Sequence, residues 1–140
     1  MTRICVLGET DPFVAGLLQR FAEASGLQAV RVQVGQDLLD LVRQVSPAVI
    51  ILDAELPGKT RGWEAARTLK ADSETSHIPI ITCSWLSEAE AGALFGEASG
   101  HLQKPELHYE DFLAALSAAG VGTERPIVDR DAASQFNEAI

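Results

Sequence analysis

Apolar residues along this 140-residue chain follow two alternating rhythms. Short continuous apolar runs alternate with longer stretches in which apolar residues recur every third or fourth position. The clearest run is Ala48–Leu52, which ends abruptly in Asp53 and is followed by a Leu-Pro-Gly turn. A continuous apolar run bounded by turn signals suits a strand buried on both faces, as in a parallel sheet covered by helices. Arg3–Gly8 and His77–Ser84 read the same way, and Gly100–Lys104 as a shorter strand. Gln28–Val34 alternates polar and apolar residues, with Val30, Val32 and Val34 on one side, as an edge strand does.

Between these runs the period changes to helical. Asp11-Pro12 gives an N-cap and a first helical position, and Phe13, Val14, Leu17, Leu18 and Phe21 follow at helical spacing up to Ser25-Gly26. Leu38, Leu39, Leu41, Val42 and Val45 mark a second helix stopped before Pro47. Trp63, Ala66 and Leu69 line a third. Glu88–Glu97 is a short Ala- and Gly-rich helix, weakly determined by propensity. Tyr109, Phe112, Leu113 and Leu116 mark the last, which Gly120 and Gly122 end. Five strand–helix units predict an α/β fold with a doubly wound five-stranded parallel sheet and helices on both faces. Residues 1–120 form one domain, and 121–140 a tail with a short helix-capable segment at 131–139.

Charge narrows the function classes. A net charge of −9 argues against a nucleic-acid surface, since phosphate backbones demand clustered Lys and Arg. No apolar stretch is long enough to span a bilayer, and MTRICVLGE lacks the apolar core of a signal peptide. Cys5 and Cys83 fall inside strand-like runs and read as buried small hydrophobes in a reducing compartment. These features place the protein in the cytoplasm, off membranes.

In an open parallel sheet, ligands bind at the carboxyl ends of the strands. The residues that land there are Glu9, Thr10 and Asp11, then Asp53, then Ser84, then Lys104. Two close carboxylates favour a hard, hydrated cation such as Mg²⁺. A lysine near Asp53 keeps it ionised and offers a donor to an incoming anion. A serine hydroxyl can hydrogen-bond a phosphoryl oxygen. Each residue also has an ordinary reading, as strand terminator, solvated cation or helix cap; their shared placement carries the signal.

With RICVLGETDP as an acidic first loop, IILDAELPG around Asp53, IPIITCS before the helix at 88 and HLQKP as a Lys-Pro turn, the chain resembles the response-regulator receiver family of two-component signalling. The resemblance spans about Arg3 to Ala119. It implies a flavodoxin-like fold with strand order 2-1-3-4-5, Asp53 as phosphoacceptor, Ser84 as switch hydroxyl, Lys104 as phosphate-binding lysine and His101 as the aromatic-position switch. Glu9, Asp53 and the main-chain carbonyl of Glu55 become Mg²⁺ ligands, and a cis peptide is expected before Pro105. The implied partners are a histidine kinase or phosphotransfer protein and a downstream protein target, with room for a homodimer. The implied role is signalling rather than turnover of an independent substrate. With no effector domain in the sequence, output runs through protein contacts or a phosphate relay.

Three departures accompany the resemblance. Thr10 stands where a second acid is usual, and a lost charge near the cation costs on the order of 4 kcal/mol at an effective dielectric near 20; Mg²⁺ is then held weakly, or Asp11 is recruited. Trp85 follows Ser84 where a small residue is usual, and it either roofs the pocket or lies outward against the next helix. The loop to Gly62 is one residue longer than usual, exposing Lys59 and Arg61. These departures support a rival reading, a pseudo-receiver acting as a phosphorylation-independent interaction module. A flavodoxin-like cofactor binder fails on the acidic first turn, which lacks the Gly and hydroxyl run that cradles an anion.

Overall fold

The computed structural model describes residues 3–33, 35–56, 61–96 and 98–122. Ten elements alternate: β1 (Ile4–Gly8), α1 (Pro12–Ala24), β2 (Gln28–Arg31), α2 (Leu38–Val45), β3 (Val49–Leu52), α3 (Gly62–Ala71), β4 (Ile80–Ser84), α4 (Glu88–Phe95), β5 (Gly100–Gln103) and α5 (Tyr109–Ala118). The strands form one parallel sheet in the order β2-β1-β3-β4-β5.

The two faces of the sheet are read directly from strand alternation. Cys5, Leu7, Val49, Ile51, Ile81 and Cys83 point to one side, where Leu17, Leu18 and Phe21 of α1 and Phe112 and Leu116 of α5 cover them. Val6, Ile50, Leu52 and Ile80 point to the other, against Leu41 and Val42 of α2, Ala66 and Leu69 of α3, and Ala91 and Phe95 of α4. Every residue of β3 is buried, which is why its sequence is apolar without alternation.

Local chemistry sets the helix starts. Asp11 accepts hydrogen bonds from the main-chain N–H groups of Phe13 and Val14, at 2.9 and 3.2 Å, and so starts α1 ahead of Pro12. Ser87 and Glu90 form a reciprocal capping box that fixes the start of α4, the helix propensity left weak.

Several expected boundaries move. β2 stops at Arg31 rather than reaching Val34, which lies outside the described residues; Val32 still donates to the Leu7 carbonyl at 3.0 Å. β4 begins at Ile80, not His77, because Thr75, Ser76 and Ile78 spend their N–H groups on successive turns. β5 ends at Gln103, one residue before Lys104. α4 ends at Phe95, short of Glu97, which lies outside the described residues. Val121, counted with the tail, is buried in the core beneath α5. The tail helix at 131–139 and Lys59 also lie outside the described residues. Among the described residues no helix is long and apolar enough to cross a membrane.

Candidate functional site

The sheet register brings the candidate residues together. Gly8 pairs with Leu52, and the Asp53 N–H donates to the Gly8 carbonyl at 2.9 Å, so Glu9 and Asp53 leave the sheet side by side. Ser84 pairs with Gln103, and the Lys104 N–H donates to the Ser84 carbonyl at 2.8 Å, which delivers the lysine to the same rim. The Lys104–Pro105 peptide is cis.

Lys104 joins the two acids. Its Nζ donates to Asp53 Oδ2 at 2.6 Å and lies 2.7 Å from Glu9 Oε2. All three side chains are buried or nearly so. Glu9 Oε2 is thereby paired with the ammonium, while Oε1 accepts from the Asp11 N–H at 3.0 Å. Asp53 Oδ1 accepts from the Glu55 N–H at 2.8 Å.

Burial raises the Glu9 carboxyl above the ordinary glutamate range; the Lys104 contact and the Asp11 N–H oppose this, and the Asp53 charge adds to it. Burial acts to lower the Lys104 ammonium, but its contacts with Asp53 and Glu9 outweigh burial and hold it above the ordinary lysine value. Lys104 is therefore charged at neutral pH.

The other expected ligands behave differently. Thr10 is exposed and brings a neutral hydroxyl in place of an acid. Asp11 is exposed and already caps α1 through Oδ1. Among the described residues no cluster of three or more His, Cys, Asp or Glu side chains could hold a metal ion. The donors at the rim are hard oxygens, the carboxylates of Glu9 and Asp53, which now share the Lys104 ammonium. That set fits a cation such as Mg²⁺, which keeps several waters and needs few protein ligands.

Ser84 is buried at the end of β4. Its Oγ accepts from the Leu86 N–H at 3.2 Å, and the Leu86 carbonyl lies 2.8 Å from His101 Nε2. His101 Nδ1 lies 2.6 Å from Thr82 Oγ1. A continuous chain thus runs from the site hydroxyl through the β4–α4 loop to half-buried His101 on β5. Thr82 was missed in the sequence, although its register partnership with His101 makes it findable once strands are paired. His101 also lines a groove of about 720 Å³ on the β5–α5 side.

Trp85 is 66% exposed. It nevertheless forms part of the wall of a cavity of about 240 Å³ that Asp53 and Ser84 also line, so the indole borders the opening of the site itself. Arg61 and Trp63, from the start of α3, also line that cavity, a role no sequence pattern announced.

Comparison with known proteins agrees with this arrangement. The model of the response regulator receiver domain matches residues 5–117. The chain belongs to this family. It is 32% identical over 107 residues to the polar-differentiation response regulator DivK of Brucella ovis, a match covering 75% of this chain and 86% of DivK. Its fold is similar to that of a putative response regulator from Chloroflexus aurantiacus, with a TM-score of 0.75 and 19% identity over 86% of this chain and 99% of that one. It is also similar to the receiver domain of the sensor histidine kinase PA1611 from Pseudomonas aeruginosa, whose structure has magnesium in its active-site cleft; the TM-score is 0.73 at 17% identity, over 86% of this chain and 99% of that one. The receiver domain is a signalling module of two-component systems rather than a metabolic enzyme.

Proposed function

We propose that this receiver domain accepts a phosphoryl group on Asp53 from a histidine kinase or phosphotransfer protein and signals through altered protein contacts. The observation that carries the reading is Lys104 Nζ held 2.6 Å from Asp53 Oδ2 on one side and 2.7 Å from Glu9 Oε2 on the other. That placement pairs the attacking carboxylate with an ammonium and sets a cation where the phosphoryl oxygens arrive.

The chain's own groups account for most of the chemistry. An oxygen of Asp53 attacks phosphorus as the donor nitrogen departs, so the protein supplies position and charge rather than a proton. Glu9, Asp53 and the Glu55 carbonyl would hold Mg²⁺ together with water, and the ion would supply further neutralisation of the transferring group. With Thr10 neutral and Asp11 capping α1 through Oδ1, the protein would offer the ion few charged ligands. Lys104 exchanges its Asp53 contact for the phosphoryl oxygens, which carry about two negative charges. Ser84 turns its hydroxyl to the same oxygens and releases the Leu86 N–H. That release loosens the loop whose carbonyl meets His101, and the face formed by α4, β5 and α5 changes for a downstream protein.

The test is incubation of the full chain with a small phosphodonor and Mg²⁺, read by intact mass. The expected result is one phosphate on the parent and none on Asp53→Asn. The exposed Thr10 and the capping role of Asp11 favour one rival, a constitutive interaction module. Absence of any adduct, even with a cognate kinase, would establish that rival instead.

A further inference from the structure

The lining of the cavity at Asp53 is of two kinds. Asp53 and Ser84 belong to the proposed transfer. Trp63, Trp85, Leu86 and Leu94 are apolar, with Arg61 and Glu55 as charged members of the same lining, and nothing in the transfer itself requires these side chains. Trp85 and Phe13 are the exposed large hydrophobic residues among those described, and Trp85 is the one that stands beside the charged site. Trp63 is half-buried, with the Arg67 guanidinium 4.9 Å from its ring. Trp85 therefore offers an open aromatic surface. At about 240 Å³ the cavity holds several waters' worth of space yet falls below the usual range for drug-sized ligands, so it suits a single ring.

We infer that this cavity is a leaving-group subsite: it takes the aromatic ring of an N-phosphoryl donor, with Trp85 as the stacking surface. The protein then prefers ring-bearing donors to ringless ones. The inference rests on the reading of Asp53 as phosphoacceptor. In the step, the bond from an Asp53 carboxylate oxygen to phosphorus forms and the phosphorus–nitrogen bond breaks. The electron pair of that bond returns to the ring nitrogen, and the ring, protonated on its other nitrogen in the donor, leaves as the neutral heterocycle. The Arg61 guanidinium beside the apolar wall adds attraction for the anionic donor without taking part in bond making.

The test compares two donors of the same phosphoryl group, phosphoimidazole and phosphoramidate, on the full chain with Mg²⁺. Adduct formation is followed by intact mass, and the ratio of the two rate constants is the readout. The parent should favour phosphoimidazole. Trp85→Ala should lower the ratio roughly threefold to tenfold, the range expected for one lost aromatic pair, and Trp85→Phe should keep most of it. A ratio unchanged in Trp85→Ala, or raised because the indole had been an obstacle, overturns the subsite. A parent that accepts neither donor loses the phosphoacceptor reading and the subsite with it. A parent that accepts both, with a ratio indifferent to Trp85, loses the subsite alone.

Discussion

Thr82 Oγ1 lies 2.6 Å from Nδ1 of His101, its direct register partner across β4 and β5. The other ring nitrogen faces the Leu86 carbonyl, which can only accept, so Nε2 carries a hydrogen. In the neutral ring Nδ1 then accepts the threonine hydroxyl, whose one hydrogen also faces the Gly100 carbonyl at the longer distance of 3.2 Å. Replacing Thr82 by Val keeps the shape but leaves Nδ1 without its donor. The variant should unfold at a Tm a few degrees lower, equivalent to roughly 1 kcal/mol. Imidazole ¹⁵N shifts should report the Nε2–H tautomer in both proteins, since the Leu86 carbonyl is unchanged, with the Nδ1 resonance moving in Thr82→Val as its donor is lost. An Nδ1 resonance identical in both would mean that Thr82 does not bond the ring.

The Lys104 triad carries one more negative than positive charge in a mostly dry site. Removing the ammonium as Lys104→Met strands two carboxylates together, and the unfolding free energy should fall by about 3–5 kcal/mol. Removing one acid as Asp53→Asn relieves repulsion and should leave stability unchanged or higher. Denaturant titration of the two variants checks the ordering. A Lys104→Met protein as stable as the parent would show that the ion pairs contribute little to the fold.

Most of this site was legible because strand ends are legible. Asp53 and Ser84 each terminate an apolar run and Lys104 follows the short strand Gly100–Gln103, and a parallel sheet lines such ends along one rim. What sequence could not give was competition for the same side chain. Asp11 reads as a helix cap that could also be recruited to a metal, and the hydrogen bonds from Phe13 and Val14 show the cap. Trp85 had two orientations with similar claims, because an exposed indole leaves no periodic trace. The start of β4 was misplaced since Ile78 is as apolar as a strand residue, yet its N–H closes a turn onto Thr75 at 3.0 Å. Thr82 was hidden because its partner His101 is nineteen residues away, visible only through register.

Gly62 allows the close approach that seats Asp53. A Cβ there would lie 1.8 Å from the Asp53 carbonyl oxygen, a backbone atom with no freedom to move aside. Gly62→Ala should therefore destabilise the fold by several kcal/mol or displace the β3–α3 connection. Gly92, inside α4, has open space at the same position. Gly92→Ala should raise stability by about 0.5–1 kcal/mol through helix propensity. Thermal melts of the pair, one falling and one rising, test both placements at once; a well-folded Gly62→Ala protein with unchanged Tm would contradict the contact.

Cys5 and Cys83 are fully buried, and burial pushes both thiols up to about 12. Alkylation requires the thiolate at the surface, so neither should label at pH 8 at the rate of a free thiol. Labelling should proceed only through unfolding and accelerate in denaturant. The same shift ties stability to alkaline pH. Between the ordinary thiol value of 9.0 and about 12 the folded chain holds protons that the unfolded chain has lost. Stability is therefore fully present below pH 9 and declines as pH rises through that window, by up to about 1.4 kcal/mol per pH unit for each thiol. Comparing the parent with Cys5→Ala isolates this slope from that of the lysines, since the variant starts less stable but should decline less steeply. Equal slopes, or native labelling at pH 8 as fast as in denaturant, would show that Cys5 is not held dry beneath α1 and α5.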